Sequence, residues 1–336
     1  MNMRSTKIFQ MMHRKIKLLF FSTFYALLIF EVIMQLLFLL SPSSFLSVVY
    51  NPYCDQSYWV KLGNKSTIED KDFTYHESLT FVNKDTKVKP HQDHSFKINK
   101  DIIVYGSSFT GHKIFKSNFN LENKVINYAV PSYGIDQIYY SYILTKHLHP
   151  NNEIIIGFLL EDIDRSIFYK RDYEKLKFNK VQDSFKISNT PIDLSKNRYH
   201  LDILTFQIFK NIKSLIQTNF NPKKSKCFYD EKKDLLYFFF DEIIREANTL
   251  DQNLTFISFN FLEDFDNSSF NWREDLYADY FSSRNITYIN SKSIIQKKTE
   301  STDIKISNLY SSRDRHLNKD GFNIIIEELQ SNIRKR

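Results

Sequence analysis

The chain has 336 residues, 42% of them hydrophobic and 16% aromatic, with 31 Phe and 20 Tyr against 6 Gly and 7 Pro. That composition excludes wholesale disorder, and the length suffices for one large domain or two small ones with a sizeable core. The formal charge of +7 sits mostly at one end: without the five basic residues before Leu18 and without Glu31, 41 basic and 38 acidic side chains leave the body near +3, which is no basic stripe for nucleic acid.

Arg4, Lys7, Arg14, Lys15 and Lys17 precede an apolar run from Leu18 to Leu40, interrupted by a few small polar residues, Glu31 and Gln35. A membrane-crossing helix needs about 20 such residues. A cleaved secretory signal has an apolar core of about 7–15 residues and a small-residue cleavage site, and Ser41-Pro42-Ser43-Ser44 offers no clear site of that kind. Residues 1–17 are therefore expected to be a cytoplasmic basic segment and 18–40 an uncleaved transmembrane signal anchor, with the remainder on the periplasmic or extracellular side. Glu31 is costly in mid-span, which implies a membrane partner helix near it or a protonated carboxyl.

Residues 41–99 form a membrane-proximal lead-in with weak periodicity, whose aromatic residues suggest packing on the body that follows. Cys54 and Cys227 are the only cysteines; on the exported side they can pair or stand as separate thiols. His76, His91 and His94 lack companion cysteines at metal-ligand spacing and read as surface residues.

From Asp101 onward, buried apolar runs alternate with helical patterns. Strands are expected at 101–105, 125–130, 153–160, 254–260 and 286–290. Helices are expected just after Ser108 and at 137–147, 201–217, 230–248, 272–283 and 319–333, with a polar surface insertion over 171–198. Such alternation predicts an α/β domain over 100–336, a three-layer α/β/α sandwich around a mostly parallel sheet.

Four segments fall where chemistry is expected, at the carboxyl ends of strands and before the last helix. Gly106 ends the first strand, and Ser107-Ser108 open a helix. Serine there is a common helix cap; it is also where unpaired backbone N–H groups could hold an oxyanion beside a nucleophile. Asn127-Tyr128-Ala129-Val130-Pro131-Ser132-Tyr133-Gly134 follows the second strand, and Glu161-Asp162-Ile163-Asp164-Arg165 follows the third. Glu161 and Arg165 are spaced to pair on a helical turn. Before the last helix comes Arg313-Asp314-Arg315-His316-Leu317-Asn318. Asp314 can hold the His316 imidazole in one tautomer, or the segment is an exposed helix entry capped by Asn318.

In this order the four segments resemble the SGNH hydrolases, the GDSL esterase/lipase family. Gly106-Ser107-Ser108-Phe109-Thr110 is similar to the Gly-Asp-Ser-Phe-Thr block, 127–132 to the second block and 157–162 to the third. Asp314, His316 and Asn318 are similar to the last block, with Gly321 in register. The resemblance implies a flavodoxin-like fold with Ser108 as nucleophile, His316 as base and Asp314 as its orienter. It puts the backbone N–H groups of Ser108 and Ser132 at the oxyanion, Glu161 in the oxyanion Asn place, and Asn127 and Asp162 in support; Arg165 joins them by its spacing to Glu161. No cofactor or metal is implied.

Three positions depart from the pattern. Ser107 replaces an Asp, and Ser132 replaces a Gly but keeps its N–H. Glu161 replaces the Asn and, when ionised, has no donor for an oxyanion. The Asp–His spacing of two resembles some polysaccharide-acetylating branches. The expected activity is that of a membrane-anchored serine esterase or O-acyltransferase acting on an acyl ester, such as an O-acetyl group of a surface glycan or lipid. The alternative is a degenerate domain that binds glycan or scaffolds an envelope assembly.

Overall fold

The computed structural model describes residues 3–40, 53–54, 57–58, 73–84, 101–112, 125–171, 173–182, 184–192, 203–217, 224–265, 271–313 and 315–335. Helix α1 (Met3–Leu40) comes first. A small antiparallel pair follows, β1 (Phe73–His76) and β2 (Thr80–Asn83). The main body begins with β3 (Ile102–Gly106), α2 (Ser108–Gly111), β4 (Val125–Asn127), α3 (Ile135–Thr145), β5 (Glu153–Leu159) and α4 (Asp162–Arg165). It continues with an antiparallel pair, β6 (Phe178–Val181) and β7 (Ser184–Ile187), then α5 (Leu204–Gln217), α6 (Tyr229–Thr249), β8 (Asn253–Phe259) and α7 (Trp272–Ser282). The chain closes with β9 (Thr287–Asn290), α8 (Ser291–Glu300) and α9 (Lys319–Arg334).

The five strands β9-β8-β5-β3-β4 make one sheet in that spatial order, every pair parallel. Counted in chain order from the opposite edge, this is the 2-1-3-4-5 arrangement of flavodoxin-like folds, whose topological switch point lies between β3 and β5. All seven residues of β5 are buried, because both faces of the sheet are covered. Ile154, Ile156 and Phe158 join Ile103, Tyr105 and Phe256 in a core shared with α3, α6 and α7. Ile155 and Leu159 join Ile102, Val104, Ile257 and Phe259 in a second core shared with α8 and α9. The period-two alternation of a strand is thus spent on choosing between two cores, so the sequence reads as an unbroken apolar run. Removing one such side chain, for example Ile156→Ala, costs about 2–5 kcal/mol by the usual scale for core truncation.

Several expectations need correction. The stretch 171–198 is more than a surface insertion. Leu176, Phe178 and Ile192 are buried there, and the Lys175 ammonium forms a buried ion pair with Asp136 at 2.8 Å. Helix α8 was not expected, since Ile294 and Ile295 are its only apolar residues. Its signal is the cap: the Asn290 side chain accepts from the N–H groups of Lys292 and Ser293. His76 is half-buried rather than a surface residue. Its Nδ1 accepts from the N–H groups of Ser78 and Leu79, and burial lowers its pKa. His91 and His94 lie outside the described residues. Cys54 and Cys227 form a disulfide.

In α1, Met11–Leu37 is long and apolar enough to cross a membrane, and it exposes large apolar side chains such as Phe20, Phe24 and Leu28. The Glu31 carboxylate is bound by the chain itself, accepting from the N–H groups of Leu204 and Thr205 at the start of α5.

Candidate active site

The chain leaves β3 at the switch point through Gly106. A Cβ there would collide with Thr110 Oγ1 and the Gly157 carbonyl oxygen on the neighbouring strand, and a Cβ at Gly157 would collide with Thr110 Cγ2. Two facing glycines therefore admit Thr110 between the strands and hold α2 against the sheet. Ser107 stands at the N-cap of α2 in an extended conformation but makes no side-chain cap bond, so capping does not explain the serine pair. The Ser107 hydroxyl is buried facing the Asp162 carboxylate, whose charged form it favours, without a hydrogen bond of ordinary geometry. Ser108 is half-buried as the first residue of α2.

From the adjacent strand, Asn127 braces this turn. Its side-chain N–H group donates to the Thr110 carbonyl at 2.7 Å, and its side-chain oxygen accepts from the Ala129 N–H at 2.9 Å. Ser132, five residues beyond the end of β4, is exposed with φ of 72°. That left-handed conformation favours glycine, the residue that the resemblance places here. Serine thus occupies a glycine-shaped turn and retains the backbone N–H.

His316 is delivered by a closed loop. Tyr310 and Leu317 form an antiparallel bridge, the Ser311 N–H donates to the His316 carbonyl at 2.8 Å, and the Asn318 N–H donates to that of Leu309 at 2.9 Å. Arg315 turns the loop through a left-handed φ of 61°. Asn318 caps α9, accepting from the N–H groups of Asp320 and Gly321. The His316 ring lies 4.6 Å from the Phe109 ring and 5.8 Å from that of His112, centroid to centroid. Phe109 in turn packs on Phe259, Phe261 and Phe322. The structure therefore brings the imidazole of the last segment against the residue that follows Ser108. Asp314 lies outside the described residues.

The third segment is held by charge on every side. Arg165 gives one N–H group to Glu161 at 2.7 Å and another to Asp162. The Tyr53 hydroxyl also donates to Glu161, at 3.4 Å; burial and then the Glu161 charge push its pKa upward, so it stays a donor. Asp162 is fully buried and accepts from the Leu159 N–H at 2.8 Å. Burial raises its pKa to about 6, opposed by Arg165, Ser107 and the Leu159 N–H. Asp164 binds the Lys232 ammonium at 2.7 Å and Arg273 Nε at 2.5 Å, and Lys232 also donates to the Tyr53 carbonyl at 2.9 Å. A Cβ at Gly134 would crowd the Arg165 backbone at 3.0 Å, which is why the second and third segments can touch.

A small cavity lies on the Glu161 side of the crevice, lined by Tyr53, Leu159, Glu161, Phe261, Asn271 and Arg273 among others; neither Ser108 nor His316 lines it. Sequence reasoning missed Tyr53, Arg273 and Lys232. Tyr53 precedes a cysteine whose disulfide ties the lead-in to Cys227, and that adjacency was the available signal. Arg273 and Lys232 sit within the helices expected over 272–283 and 230–248, where nothing local marks a charged residue as buried. Among the described residues, no group of three or more His, Cys, Asp or Glu side chains is placed to hold a metal ion.

No protein-family model matches the chain, and no curated protein sequence does. Solved structures do resemble it. A member of the lipolytic protein G-D-S-L family from Veillonella parvula is 11% identical, covering 69% of this chain and 97% of its own, with a TM-score of 0.36. A lipase/acylhydrolase from Enterococcus faecalis is 12% identical over 70% of this chain and 97% of its own, also at 0.36. An acetyl xylan esterase is 12% identical over 69% of this chain and 99% of its own, at 0.35.

Proposed function

We propose that the chain is a membrane-anchored serine esterase or O-acyltransferase of the SGNH type. The observation that carries this reading is the packing of the His316 imidazole on Phe109, at 4.6 Å between ring centroids, beside Ser108 at the switch point of the sheet. Ser108 Oγ attacks an ester carbonyl while His316 takes its proton, with Asp314 as the group that orients the imidazole. The N–H groups of Ser108 and Ser132 receive the oxyanion. The Arg165 guanidinium pairs with Glu161 at 2.7 Å, which offsets part of the negative charge that the substituted position brings near the oxyanion. A tether through α1, with the basic residues before Leu18 on the cytoplasmic side, suits an acyl ester on a surface glycan or lipid.

Ser108→Ala tests the assignment. The variant is expected to unfold like the parent chain and to lose turnover of a short-chain ester, as well as labelling by a fluorophosphonate. Equal turnover by both chains refutes the serine mechanism. Glu161 favours a second reading, since a carboxylate offers no donor to an oxyanion: a glycan-binding domain without catalysis. Glycan binding by a chain whose Ser108 never labels selects that reading.

A further inference from the structure

Helix α5 (Leu204–Gln217) is joined to α1 by a carboxylate. Glu31 accepts from the Leu204 N–H at 2.9 Å, the Thr205 N–H at 2.8 Å and the Thr205 hydroxyl at 2.5 Å, and Gln35 Nε2 donates to it at 2.7 Å. The first amides of a helix lack partners within it and form the positive end of its dipole. An acidic side chain in an apolar helix and the first amides of α5 therefore satisfy each other.

The rest of α5 is amphipathic in a way that this contact does not exhaust. Leu204, Thr205, Ile208 and Asn211 are buried. At 100° per residue, Ile212 shares the bearing of the buried strip nearer the helix C-terminus, Ile216 and Phe209 continue the apolar face beside it, and Phe206 lies farther round. All four are exposed, Phe206 by 68% and Phe209 by 61%. At the same pitch Lys213 lies between Phe209 and Phe206, and Gln217 and Lys210 follow on the far side of Phe206, all three exposed. Helix α5 packs beside α1, which exposes apolar side chains along Met11–Leu37. Two helices that both expose apolar side chains are thus joined through a part-buried polar clasp.

We propose that α5 lies in the outer leaflet beside α1, its Phe206, Phe209, Ile212 and Ile216 side chains in contact with lipid hydrocarbon. This rests on the anchored reading of α1. Glu31 stands six to nine residues before the end of the apolar stretch, which at 1.5 Å per residue is roughly 9–14 Å below the outer boundary. At that depth neither a carboxylate nor free amides can turn to water, and the clasp supplies each with its partner. Lys210 and Lys213 extend their ammonium groups toward the lipid headgroups. The body is thereby held to the bilayer at a second point, which keeps it close to the membrane surface.

The test uses the full-length chain in vesicles of phosphatidylcholine and phosphatidylglycerol. A tryptophan is introduced by Phe209→Trp, and by Leu27→Trp as a control on α1; the added emission is read against the parent chain. With lipids brominated on the acyl chains, both added signals are expected to be blue-shifted and largely quenched, while aqueous iodide leaves them intact. Glu31→Ala is expected to speed amide exchange at Leu204 and Thr205 and to reduce bromine quenching at position 209 several-fold. If position 27 is quenched by bromine but position 209 by iodide, α5 lies in water; the inference falls and the anchor stands. If neither is quenched by bromine, the anchor falls and takes the inference with it. Shielding of position 209 from both quenchers, in a chain that cross-links as a dimer, means that a second copy covers the strip and also overturns the proposal. Should Phe209→Trp fail to fold, Ile216→Trp reads the same face.

Discussion

Asn127 donates a hydrogen bond to the Thr110 carbonyl across 2.7 Å, tying the strand beside the crevice to the turn that carries Ser108. Asn127→Ala strands that carbonyl and the Ala129 N–H, at about 1–3 kcal/mol for each buried group left unsatisfied. Ester turnover should fall with the stability, because the turn that holds the nucleophile loses its brace. Denaturant unfolding and turnover measured together check this. A variant that matches the parent chain in both removes Asn127 from any positioning role.

Ser132 holds a φ of 72°, where an L side chain is strained by about 1–2 kcal/mol and a β-branched one more. Ser132→Gly should therefore keep both stability and activity, since the backbone N–H and the turn survive. Ser132→Val should lose stability and turnover. Indistinguishable Gly and Val variants in thermal melts and ester assays would mean that the turn is not left-handed in solution.

Asp164 neutralises two buried cations, Lys232 at 2.7 Å and Arg273 at 2.5 Å. Asp164→Ala leaves both uncompensated, a change that typically costs about 3–5 kcal/mol. Lys232→Met should cost less, because Arg273 still answers the carboxylate. Urea unfolding of the two variants gives the order, and the reverse order contradicts the pairing described here.

Asp162 gives a pH dependence of known sign. Burial raises its folded-state pKa to about 6 from an ordinary 3.8, so between those values the folded chain binds more protons than the unfolded one. Its stabilising contribution is complete below about pH 4 and is lost as pH rises to about 6. Relative to the parent chain, Asp162→Asn should gain stability progressively across that window and show no further relative change above it. Urea midpoints at a series of pH values read the difference; a variant that loses stability relative to the parent chain as pH rises reverses the sign and rejects the raised pKa.

Much of the architecture was legible from residues 101–160 and 253–290, because strands covered on both faces leave continuous apolar runs. The run at Glu153–Leu159 is the clearest case. Helix α8 was not legible, since two adjacent isoleucines give no periodicity and its start is marked only by the Asn290 cap. At the candidate site, the chain's strand-end segments and the family resemblance they carry picked out Ser108, Ser132, Glu161 and His316, but carried no information about what surrounds them.

The chain's residues alone determined a long apolar helix behind a basic flank, a parallel α/β body, and polar segments at the ends of its strands. These follow from spacing and hydropathy, which act over neighbouring residues. Only the tertiary structure decided that His316 packs on Phe109, that Tyr53 reaches Glu161, that Cys54 joins Cys227, and that Glu31 is answered by the start of α5. Each of these joins residues far apart in the chain, and such contacts depend on how layers stack and which buried charge finds which partner. No local pattern encodes that choice.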